Sequence, residues 1–107
     1  MKSLSYQAKL EAFDAFAQAR REILLNYRGV SDPDKLDDRI AFDSAVSSLE
    51  DLFYSVRLSD QEKLQRLRSW LPALGEWECH YQGEQRAEEC VWRLADLVEE
   101  LIAILEA

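Results

Sequence analysis

The stretch EQRAEECVWRLADLVEELIAILE, residues 84–106, sets Ala87, Val91, Leu94, Val98, Leu101 and Leu105 at alternating spacings of four, three and seven. That is the seam of an amphipathic helix packed against other helices. Cys90, Leu97 and Ile104 border the seam on one side, Ala95 and Ile102 on the other. Over its last three turns the helix is apolar on more of its circumference than one antiparallel neighbour covers. It is therefore expected at the centre of a helical bundle or shared between two copies of the chain, with Leu97, Leu101, Ile102, Ile104 and Leu105 as the expected homodimer interface.

Upstream of this helix, Trp77 and Tyr81 continue a helical spacing from Trp70 and Leu74, but Pro72 and Gly75 interrupt it. Proline removes a backbone donor and crowds the preceding turn, so residues 76–83 are either a kinked continuation of that helix or a short separate helical piece, and are assigned as the latter. Before the proline, Ser59-Asp60-Gln61-Glu62 forms a capping box, with serine and glutamate each able to bond the other's backbone amide. The helix it starts is expected to bury Leu64, Leu67, Leu71 and Leu74 and to turn Lys63, Arg66 and Arg68 to water.

Ser31-Asp32-Pro33 opens another helix, with a capping side chain, proline in the first turn and Asp34, Asp37 and Asp38 beside the positive end of the dipole. It is expected to run to about Arg57. Phe42, Val46, Leu49, Phe53 and Val56 make one stripe, while Leu36, Ile40, Tyr54 and Leu58 lie about 140° around the helix from it. This helix thus has a second apolar face, which is either sandwiched within the domain or open to another chain. The first helix, about residues 5–28, starts behind Ser3 or Ser5 and stops before Gly29. Its expected core stripe is Tyr6, Leu10, Phe13, Ala17, Leu24 and Tyr27, widened by Phe16 and Ile23. Arg20 falls inside that stripe, so its guanidinium must either snorkel outward or meet a carboxylate from another helix or chain, and snorkelling is the favoured reading.

One domain of 107 residues with 48% hydrophobic and 32% charged residues suffices for these elements, and three glycines and two prolines leave few turns for strands. The expected fold is an all-α antiparallel bundle of four main helices, dimeric through its surplus apolar faces. The formal charge is −8, which disfavours direct binding to nucleic acid or anionic membrane and favours a protein partner. Net charge alternates along the chain: +2 over residues 1–31, −5 over 32–60, +2 over 61–75 and −7 over 76–107. The absence of an apolar leader or spanning segment predicts a cytoplasmic protein whose two cysteines, Cys79 and Cys90, are reduced.

Chemistry-bearing patterns are sparse. Glu76 and His80 would share a helix face near Glu84, Glu88, Glu89 and Cys90, but a di-iron bundle needs paired Glu-x-x-His units and the chain has one histidine. Cys79 and His80 are adjacent on a helix and point about 100° apart, away from nucleophile–base geometry. No catalytic residue, cofactor or metal is assigned. Trp92 falls on the polar side of the last helix, where an exposed tryptophan is a common interface anchor.

The sequence thus predicts a non-enzymatic protein-binding regulator that inhibits or sequesters another protein, with Leu36, Ile40, Tyr54, Leu58 and Trp92 as the partner-binding residues. In size, charge and helicity the chain is similar to the small helical antiactivators that occlude bacterial transcription regulators and to phage-borne inhibitors of host complexes, a likeness of architecture without a shared motif. The alternatives are a nucleic-acid mimic, whose spaced carboxylates would occupy a basic groove, and a small metal- or thiol-dependent enzyme.

Overall fold

A computed structural model describes residues 4–107 as four helices packed against one another, with no strand among the described residues. They are α1 (Tyr6–Asn26), α2 (Pro33–Phe53), α3 (Asp60–His80) and α4 (Gln85–Glu106). Local chemistry starts each of them. The Ser5 side chain accepts from the Ala8 amide, Asp32 caps α2 ahead of Pro33, and Ser59 and Glu62 form the reciprocal capping box of α3. Ser3, the other candidate cap for α1, lies outside the described residues. At α4 no side chain caps the helix, but the Gly83 amide donates to the Glu88 carboxylate at 2.8 Å. Gly29 and Gly83, with φ of +75° and +92°, reverse the chain where other residues would be strained.

Helix α4 lies in contact with all three other helices and buries Ala87, Cys90, Val91, Leu94, Leu97, Val98 and Leu101. Around it α2 supplies Phe42, Val46, Leu49 and Phe53, and α3 supplies Leu67 and Leu74. An aromatic cluster closes one end, where Phe42 meets Trp77 edge-on at 5.8 Å and also packs on Tyr27 and Tyr81. The Tyr81 hydroxyl donates to Asp38 at 3.1 Å, joining α2 to the end of α3.

Several sequence expectations are corrected. Helix α1 is turned: its buried residues are Ala12, Ala15, Phe16, Ala19 and Ile23, whereas Tyr6, Leu10, Phe13 and Leu24 are exposed. The buried alanines let the α1 backbone approach α2 and α4 closely, which the larger side chains of the other face would prevent. Tyr27 is buried as expected. Second, α3 runs through Pro72 and Gly75 to His80, so of the two readings of this segment the continuation holds and the separate piece does not. The stripe Lys63, Leu67, Trp70, Leu74, Trp77 and Tyr81 keeps one helix face against the bundle, and that packing outweighs the bond lost at the proline. Lys63, expected in solvent, belongs to this stripe and is almost fully covered. Third, α2 ends at Phe53, so Leu58 lies in the connection to α3 and not on a helical face with Ile40.

Removing Phe42 takes the centre out of the aromatic cluster. Phe42→Ala should lower unfolding free energy by about 3–5 kcal/mol, and Ser59→Ala by about 1 kcal/mol. In the opposite direction, Gly75 is an exposed helical residue with nothing within 4 Å of an added Cβ. Gly75→Ala should stabilise by about 1 kcal/mol and Pro72→Ala by up to about 3 kcal/mol. Urea titrations of the four variants check all four signs.

Candidate protein-binding faces

The turned α1 brings two apolar strips together on the outside of the α1–α2 hairpin. Tyr6, Leu10, Phe13, Ala17 and Leu24 lie about 130° around α1 from the mean direction of its five buried residues, with Tyr6 77% and Phe13 64% exposed. On α2, Ile40 is 61% exposed, Leu36 is half-buried, and Ser47 stands open between them and Tyr54. Arg20 lies in the seam between the strips. Of its two sequence readings the carboxylate partner holds and the favoured snorkelling does not: it pairs with Glu50 and donates to the Ser47 hydroxyl at 3.4 Å. The carboxylate one helix away satisfies the guanidinium and ties α1 to α2.

Tyr54 combines two roles. Its ring packs on Phe16 and Phe53, its hydroxyl donates to the Lys9 carbonyl at 3.4 Å, and 38% of it remains exposed. Beyond it Val56 is 88% exposed, and a hollow of ≈ 520 Å³ opens between Glu50, Tyr54, Val56 and Arg57. Leu58 is half-buried beside this end. Sequence reasoning missed the α1 half of the face because the larger apolar residues were assigned to the core. The signal that finds it is the alanine spacing Ala12–Ala15–Ala19, which marks a close-packed side.

A second open surface runs along the outside of α4. Trp92 is 46% exposed and lines a trough of ≈ 430 Å³ with Leu25 of α1 and the acids Glu22, Glu89 and Asp96. Arg93 at its edge pairs with both Glu22 and Glu100, so the basic group there is already engaged. The C-terminal residues expected at a dimer contact divide. Leu97 and Leu101 have no exposed surface and belong to the chain's own core, a correction that follows from α1, α2 and α3 surrounding α4. Ile102, Ile104 and Leu105 pack partly covered against that core.

The remaining titratable groups stay apart. No group of three or more His, Cys, Asp or Glu with metal-holding geometry occurs among the described residues. His80 and Cys79 are exposed at the end of α3, with the His80 ring edge-on to Tyr81. Burial, reinforced by the charges of Glu89 and Asp43, pushes the Cys90 thiol up to about 12. Tyr81 is pushed up to about 12 by burial and its bond to Asp38, and burial drives Tyr27 higher still. These groups keep their protons in the folded state while the unfolded chain releases them above about pH 9–10, so stability is fully present below that range and lost as pH rises through it. Urea midpoints should fall from about pH 9 upward. At pH 8 an alkylating reagent should modify Cys79 and spare Cys90 until the chain is unfolded.

Comparison with protein-family models, curated proteins and solved structures gives no match to this chain.

Proposed function

We propose that the chain is a non-enzymatic, cytoplasmic protein-binding regulator: an acidic helical antagonist or antiactivator that binds another protein, such as a transcription regulator, and inhibits or sequesters it. The observation that carries this reading is the set of large apolar side chains standing exposed outside a core that is complete without them. Apolar residues of this size gathered on a surface are characteristic of protein contacts. Paired residues support an antiparallel order of the helices: Lys9 with Tyr54 and Tyr27 with Phe42 for α1 and α2, and Arg68 with Glu106 and Glu22 with Arg93 for α4 against α3 and α1. In that arrangement the α1–α2 face and the Trp92 trough are separate surfaces, so a dimer and a partner complex are compatible.

The trough suits the heterologous partner. Trp92 and Leu25 offer desolvatable area, and Glu89 and Asp96, one turn before and after Trp92, favour a partner segment carrying arginine or lysine over the indole. The test is capture of interacting proteins from native lysate with the wild type, Trp92→Ala, Leu25→Glu and the exposed control Gln18→Ala. A protein retained by the wild type and the control should be lost with the other two, with affinity reduced about 30-fold or more. Equal retention by all four chains would overturn the assignment. A complex indifferent to Trp92→Ala, yet dispersed by salt and by duplex DNA, would decide for a nucleic-acid mimic built on the outer acids of α4.

A further inference from the structure

We infer that the outer face of the α1–α2 hairpin is the surface on which two copies of this chain meet, with α1 of each copy laid over α2 of the other. The inference rests on the protein-binding reading above and names a second copy as the occupant of this face.

Charge singles out that occupant. Across the face the order is a net basic edge formed by α1 and the turn after it (Arg21 and Arg28, with Asp14 among them), the α1 apolar strip, the Arg20–Glu50 seam, the α2 apolar strip, and an acidic edge on α2 (Asp37, Asp51). All five edge residues are exposed, and none joins an ion pair among the described residues. A two-fold axis along the seam places the basic edge of one copy on the acidic edge of the other, twice, and apolar strip on apolar strip. The surface thus carries its own complement.

Register agrees with this arrangement. The contacts of Arg20 with Ser47 and Tyr27 with Phe42 put Arg28 level with the turn of Ile40, and Arg21 level with Ser47. In the pair each arginine then comes within about one helical turn of an acid, Asp37 or Asp51 of the partner subunit, a span an arginine side chain covers. Phe13 becomes level with the hollow beside Tyr54 and Val56 of the partner subunit. Ala17 and Ser47 leave the middle of the face low enough for close approach of the two hairpins. Two helices of 21 residues side by side present about 30 × 20 Å in plan, and side-chain relief brings that near the ~800 Å² per partner of a standard stable interface.

Charge exchange tests the pairing directly. One variant carries Arg21→Glu and Arg28→Glu, the other Asp37→Lys and Asp51→Lys, and self-association is followed by sedimentation with far-UV circular dichroism as the check on folding. The wild type should be dimeric at about 50 µM. Each variant alone should dissociate about 30-fold more readily, and an equimolar mixture should regain the dimer, since each altered edge then meets an opposite one. A monomeric wild type at that concentration, variants that self-associate like the wild type, or a mixture that stays monomeric would each overturn the inference. Should either double variant unfold, Phe13→Arg at an exposed position reads the same surface: a folded monomer supports the two-copy face and an unchanged dimer refutes it. A wild-type monomer that still loses its partner on Trp92→Ala would end this inference and leave the protein-binding reading standing.

Discussion

A helix that is apolar over more than half its circumference has to be surrounded, and α4 is that helix. Its buried residues face α1, α2 and α3 in turn, so the other three helices are placed by the need to keep water from Cys90, Val91, Leu94, Leu97, Val98 and Leu101. The pairing of α1 with α2 and of α2 with the end of α3 follows from that placement. Arg20–Glu50, Tyr81–Asp38 and the aromatic contacts of Phe42 orient elements that α4 has already gathered.

The same requirement explains why the large apolar residues of α1 stand outside. Close approach of α1 to its neighbours favours the face of Ala12, Ala15 and Ala19, with Phe16 and Ile23 filling the gaps between them. Turning the helix the other way would bury Tyr6, Phe13 and Leu24 at the cost of separating it from α4. The outward strip is therefore what remains when the core has taken the face that fits.

What could be read in the residues follows from how local the responsible physics is. The Ser59–Glu62 box, Pro33 behind Asp32 and the glycine at Gly29 act over a few residues, and the helix starts and the chain reversal they mark are where the sequence puts them. The seam of α4 was equally plain because its apolar positions are dense and regular. Orientation was less accessible. α1 carries two apolar faces, and choosing between them depends on how near a neighbour can come, which is a property of the pair of helices and not of either one. The continuity of α3 through Pro72 depends likewise on Trp70, Trp77 and Tyr81 finding partners on other elements. Of the candidate binding residues, Ile40, Tyr54 and Trp92 stand exposed, while Leu97 and Leu101 are inside, because the helix judged too apolar for one neighbour has three.

The central position of α4 also bears on the order in which the chain comes to exist. Helices α1, α2 and α3 are synthesised before the element that packs against all three, and at about 5–20 residues per second some 4–16 s separate the end of α1 from the end of α4. Until then the sides of α1 and α2 that pack on α4 stand open alongside the strip that stays outside. Folding is thus gated by synthesis of the fourth helix, and a nascent chain halted in the loop before Gln85 would be an aggregation-prone fragment in search of a substitute for α4.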